Sequence, residues 1–159
     1  MPHSEQPLLI CYDDSPQSEQ AVAEAARLFP GSHAVVLHVW QPFEATAAYR
    51  YSAAGLTGAL ADELRALDAA GQETAQQIAE RGAGLARDAG LVAEARAVQL
   101  EHEAAPLVRA VAAEIDARLV VVGSRQLGSV RAVALGGFSH GVLHGSDRAV
   151  LVVPAAPAQ

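Results

Sequence analysis

A chain of 159 residues falls within the roughly 100–200 residues of a single domain. Hydrophobic residues make up 51% and charged residues 18%, a globular and not a disordered composition. Eighteen acids against eleven bases leave a net charge of −7, which argues against nucleic acid or an anionic membrane surface as a partner.

Leu8–Tyr12 is a short apolar run followed by turn-forming residues and reads as a buried strand. Asp13 and Asp14 come next, then Ser15 and Pro16, a good N-cap and a residue suited to the first helical position. The spacing of Ala21, Val22, Ala25, Ala26 and Leu28 predicts a helix to about Phe29, stopped by Pro30-Gly31. His33–Trp40 (HAVVLHVW) is a second strand, ended by Pro42, and Phe43 to Gly58 shows no clear period and reads as a loop. From Leu60 to Asp88 the spacing turns helical, with Gly71 and Gly82 weakening it and Gly90 as a natural C-cap. Val92–Leu100 reads as a third strand, Glu103–Asp116 as a helix and Leu119–Val122 as a strand running into Gly123. A glycine-containing loop, a short helix over Phe138–His144 and a last strand over Ala149–Val153 complete the order. Apolar strands alternating with helices predict an α/β domain whose parallel sheet is covered on both faces. The domain is placed at residues 1–154, with 155–159 as a frayed, Pro/Ala-rich tail.

Residue types exclude several chemistries. All eleven bases are arginine, so a Walker A lysine, a Schiff-base lysine and a kinase lysine are all ruled out. The single cysteine, Cys11, makes neither a disulfide framework nor a cysteine zinc site. Met1–Pro7 is polar and does not read as a secretory signal. No apolar run approaches the roughly 18 residues of a membrane span. The expectation is a soluble, cytoplasmic protein.

In an open parallel sheet, ligands bind outside the carboxyl ends of the strands where the strand order reverses. Two loops suit that role: Asp13-Asp14-Ser15 after strand 1, and Gly123 to Gly137 after strand 4, which leads into a helix N-terminus. Glycine allows close approach of a phosphate, and a helix N-terminus offers unpaired N–H groups. The second loop reads Gly123-Ser124-Arg125-Gln126-Leu127-Gly128 and then Leu135-Gly136-Gly137-Phe138-Ser139-His140.

With "ICYDDS", "LHVW", "LVVVGSR", "LGGFSHGVLHGS" and the closing "AVLVVP", the chain resembles a universal stress protein over nearly its whole length. The resemblance implies an adenine-nucleotide α-hydrolase-like fold: a single open parallel sheet of five strands in the order 3-2-1-4-5. It also implies a cytoplasmic homodimer and, in one branch of the family, ATP held by a G-2x-G-9x-G-(S/T) loop. By position, Gly123 matches the first glycine of that loop, Gly136 the last, and Asp13 the strand-1 aspartate on the ribose and adenine side. Cys11 and Val39 sit where the family lines the adenine, and Ser139 matches a second hydroxyl beside the phosphates.

Three positions depart from the pattern. Gln126 replaces the middle glycine, Gly137 the terminal Ser/Thr, and Asp14 the glycine after the strand-1 aspartate. The lost hydroxyl would cost about 1.5–3 kcal/mol of phosphate binding. Asp14 adds negative charge near a polyanion, which Arg125 and Arg131 would partly offset.

Each signal also has a plain structural reading. The acid pair suits a ligand contact or a helix cap; the family position assigns Asp13 to the ligand and Asp14 to the cap. Gly136-Gly137 suits a phosphate cradle or a flexible turn. His140 and His144 share a helix face, but no third ligand accompanies them and no metal site is expected. Cys11 reads as a packed thiol, and Trp40 as cover for the sheet edge near the site. Ser139-His140 is not a dyad, because adjacent helical residues diverge.

Two functions follow. The first is a dimeric nucleotide-binding stress protein taking ATP, AMP or cyclic AMP, with Mg²⁺ only alongside the nucleotide. The second is a dimeric adaptor that binds none, marked by Gln126 and Gly137. A response-regulator receiver also carries acids after strand 1. It needs a lysine after the last strand and an aspartate ending strand 3, and Gln99-Leu100-Glu101 supplies none. No nucleophile and base are placed for a hydrolase, so no enzyme is expected beyond slow, incidental ATP turnover. Val150–Val153 forms an apolar last strand at the predicted sheet edge, which invites pairing with a second chain.

Overall fold

The computed structural model describes residues 6–42, 58–124 and 137–154. Among these residues five strands and four helices alternate: β1 (Leu8–Cys11), α1 (Pro16–Leu28), β2 (His33–Trp40), α2 (Gly58–Asp88), β3 (Val92–Gln99), α3 (Ala104–Glu114), β4 (Leu119–Ser124), α4 (Gly137–Gly145) and β5 (Ala149–Pro154). The expected loop at 43–58 lies outside the described residues except for Gly58, which opens α2. The tail at 155–159 lies outside them too.

All strand pairs are parallel and the order is β3-β2-β1-β4-β5, as the resemblance implied. The chain lays β2 and β3 to one side of β1, then crosses to lay β4 and β5 on the other. The reversal therefore falls between β1 and β4, which pair from Leu8↔Leu119 to Ile10↔Val121 and then part.

Strand side chains point alternately to the two faces, and both faces are buried. Leu8, Ile10 and Tyr12 pack with Val22, Ala25, Val36, Ala83 and Ala86 under α1 and α2. Leu9, Val35 and Leu37 pack with Val108, Val111, Val122 and Val142 under α3 and α4. A continuous apolar run such as Leu8–Ile10 is what burial on both faces demands.

At the first turn of α1, Ser15 is the N-cap with Pro16 behind it, and Ser15 and Ser18 form a capping box. Helix α2 runs unbroken through Gly71 and Gly82, against the expectation that these residues weaken it. They are notches for side chains of the sheet. A Cβ at Gly82 would lie 2.6 Å from the Tyr12 ring and 2.9 Å from Val36 Cγ1, and one at Gly71 would lie 3.4 Å from the Trp40 ring. Trp40 was expected to cover the sheet edge near the site; it ends β2, an interior strand, and its ring packs under α2, on the face away from α3 and α4.

Candidate functional site

A cleft of about 490 Å³ opens at the carboxyl ends of β1, β2 and β4, within the 300–1,000 Å³ or so usual for small-molecule sites. It lies where the strand order reverses, the expected position for a ligand in this architecture.

Its floor is apolar. Cys11 ends β1, and Leu37 and Val39 sit two apart on one face of β2. Leu100, Ala104 and Phe138 form the wall. Burial, with a smaller contribution from the Asp13 charge, pushes the Cys11 thiol up to about 12. It is a protonated packing group, as expected.

The polar side is the β1–α1 turn. Asp13 Oδ1 accepts a hydrogen bond from the Ser15 N–H at 3.2 Å and another from the Ser15 hydroxyl. Ser18 Oγ, buried, accepts from the Asp13 N–H at 3.3 Å and the Ser15 N–H at 3.1 Å. This lattice of short-range bonds fixes the turn at the mouth of the cleft.

Asp14 behaves differently from the sequence reading. It is not the helix cap; Ser15 is. Asp14 has a φ of 63°, and its carboxylate turns toward α2. There it accepts from Arg81 Nη2 at 2.6 Å, Arg81 Nε at 3.3 Å and the Tyr12 hydroxyl at 3.1 Å. Hydrogen bonds from the Arg81 guanidinium, then from Tyr12, hold its carboxyl below the usual range. Asp14 does not line the cleft, and its charge is countered by Arg81.

The other rim belongs to β4 and α4. A Cβ at Gly123 would lie 2.7 Å from the Gln17 carbonyl oxygen. Glycine is therefore required there to let β4 approach α1, whatever the cleft holds. At Gly137, the first residue of α4, a Cβ would meet no described atom within 4 Å. Ser139 is buried and its hydroxyl donates to the Gly123 carbonyl at 3.1 Å. That bond ties α4 to β4 and occupies the proton that the resemblance offered to a phosphate.

The structure thus brings Cys11, Asp13, Val39, Gly123, Gly137 and Ser139 into one cleft. Arg125, Gln126 and Gly136, expected beside them, lie outside the described residues, as does Arg131. The sequence reading missed Gln17, Leu37, Gln41 and Phe138, which also line it. Leu37 and Gln41 were readable by strand period from Val39, and Gln17 by its place in the first turn of α1. The rings of His140 and His144 lie 4.1 Å apart, and no group of three or more metal-ligating side chains gathers among the described residues. No helix among them is long and apolar enough to cross a membrane.

The profile of the Universal stress protein family matches residues 5–154. The chain belongs to that family. No curated protein matches it in sequence, but solved universal stress proteins share its fold. One, from Archaeoglobus fulgidus in complex with dAMP, is 19% identical with a TM-score of 0.59, covering 94% of this chain and 98% of its own. A second, from Arabidopsis thaliana with AMP bound, is 12% identical with a TM-score of 0.62, covering 96% and 93%. A third, in complex with cAMP, is 20% identical with a TM-score of 0.64, covering 96% and 99%.

Proposed function

We propose that this universal stress protein binds an adenine nucleotide in the cleft at the ends of β1, β2 and β4, as a cytoplasmic homodimer. One observation carries the reading. Asp13, Val39, Gly123 and Gly137, far apart in sequence, line one cleft at the strand-order reversal. The nucleotides held by structurally similar proteins support it.

The lining fits the parts of such a ligand. Cys11, Leu37, Val39 and Leu100 offer an apolar slot for a flat base. Asp13 offers a carboxylate acceptor to ribose hydroxyls. The first turn of α4 at Gly137 offers backbone N–H groups to a phosphate, with the missing hydroxyl as the cost. Among the described lining residues there is one carboxylate, Asp13, and no cation. ATP would therefore draw its charge compensation from Arg125, Arg131 and the magnesium that accompanies its phosphates. Binding without turnover is the proposed activity: the Cys11 thiol is protonated and the Ser139 hydroxyl donates to a backbone carbonyl.

The adaptor reading draws on two observations, the absent hydroxyl at Gly137 and the committed hydroxyl of Ser139. Calorimetric titration with AMP and with ATP plus Mg²⁺ decides between them. Saturable binding at micromolar levels upholds the nucleotide reading. No heat up to millimolar nucleotide overturns it in favour of the adaptor.

A further inference from the structure

Asp14 occupies backbone that an L-residue enters at a cost. At a φ of 63° its Cβ crowds the following carbonyl, and glycine is the residue that sits there freely. What keeps it there comes from 67 residues along the chain: Arg81 of α2 grips both carboxylate oxygens, at 2.6 and 3.3 Å. The Tyr12 hydroxyl adds a third bond at 3.1 Å. Arg81 can reach because the next residue, Gly82, lets α2 settle onto the Tyr12 ring.

The same arrangement recurs at the opposite end of the sheet. Asp116, at φ 49°, is the other non-glycine residue with left-handed backbone among those described. Its carboxylate too is held from other elements, by Arg148 at 3.0 Å and Gln6 at 2.6 Å. In both places an aspartate stands where glycine would be relaxed, and an arginine distant in sequence holds it.

We propose that Arg81 and Asp14 are positioning residues for Asp13, acting as a clamp that sets where the Asp13 carboxylate points into the cleft. Asp13 precedes Asp14 directly, so the torsion imposed at Asp14 decides whether Asp13 Oδ1 meets the Ser15 N–H and whether the Asp13 N–H meets Ser18. Arg81 does not line the cleft; it reaches a ligand only through this backbone. The ligand part of the proposal rests on the nucleotide reading above, whereas the clamp itself does not.

The test is a double-mutant cycle with two readouts. The first is amide hydrogen exchange of Asp13, Asp14, Ser15 and Gln17 in the ligand-free protein, and the second is AMP affinity by calorimetry. Arg81→Ala is expected to speed exchange and weaken AMP by about threefold to fivefold, the range of an exposed ion pair. In the Asp14→Gly background the same Arg81→Ala change is expected to alter neither, because glycine needs no clamp. Equal effects in both backgrounds would overturn the proposal, since Arg81 would then act without Asp14. So would an Arg81→Ala protein indistinguishable from wild type. If the wild-type protein binds no AMP, the nucleotide reading fails by itself, and the exchange readout still decides the clamp.

Discussion

The Tyr12 ring meets α2 at Gly82, so closely that a Cβ on residue 82 would lie 2.6 Å from two ring carbons. One of those carbons is Cγ, bonded directly to Cβ, so rotating the ring about its axis does not move it away. Gly82→Ala should therefore destabilise the protein by about 1–3 kcal/mol through overpacking. This runs against the gain of roughly 1 kcal/mol that alanine brings to a helix interior. Urea unfolding of the two proteins measures the sign; a more stable variant would show that the ring yields.

Two glycines on the cleft rim should respond differently to alanine. Gly123→Ala forces a methyl to within 2.7 Å of the Gln17 carbonyl oxygen and should cost about 1–3 kcal/mol. Gly137→Ala places its methyl where no described atom lies within 4 Å and should be neutral or slightly stabilising at the start of α4. A thermal melt separates them, since 1 kcal/mol shifts Tm by about 2–4 °C at this size.

Cys11 sets a dependence on alkaline pH. Its thiol rises from an ordinary 9.0 to about 12 in the folded chain, from burial first and the Asp13 charge second. Tyr12 rises from 10.0 to about 12, again chiefly from burial. Both groups ionise more readily when unfolded, so stability is whole below pH 9 and falls as pH rises toward 12. Cys11→Ala should flatten that decline in denaturant titrations across this window. In the native protein at pH 8 the thiol should resist a disulfide reagent, and it should react once guanidinium unfolds the chain.

Restoring the glycine-loop pattern should strengthen ATP binding. The double variant Gln126→Gly with Gly137→Ser supplies the missing glycine and hydroxyl, and no described atom lies within 4 Å of a Cβ at 137. Calorimetry should show an affinity about ten- to a hundredfold higher, the equivalent of about 1.5–3 kcal/mol for a hydrogen bond to a charged group. An unchanged affinity would remove the loop as the explanation.

The proposed homodimer has a candidate surface. β5 ends the sheet beside β4, and its Val150, Leu151 and Val152 are only half-buried. An apolar edge of this kind favours pairing with a second copy. Sedimentation at micromolar concentration should show a dimer, and Val152→Lys should shift it toward monomer.

The elements and their kind were legible along the chain. Leu8–Ile10, Val35–Leu37 and Val120–Val122 are apolar without alternation because both sheet faces are covered. Ser15 and Pro16 announced the start of α1. These signals are short-range, carried by period and by caps, so a reading residue by residue finds them. Asp13, Val39 and Gly123 could be named through the positions they share with the family's motifs, and Gly137 through its place at the start of the helix after β4.

Packing settled the rest. Asp14 looked like a cap and is held instead by Arg81, a partner that exists only because α2 lies over β1. Gly71 and Gly82 looked like weak points in a helix and are the places where Trp40 and Tyr12 fit. Ser139 looked like a free hydroxyl and donates to Gly123, because α4 returns to the end of β4. A side chain's partner is set by how high a helix sits over the sheet and how it is turned. That is a property of packed volumes, which no local pattern encodes.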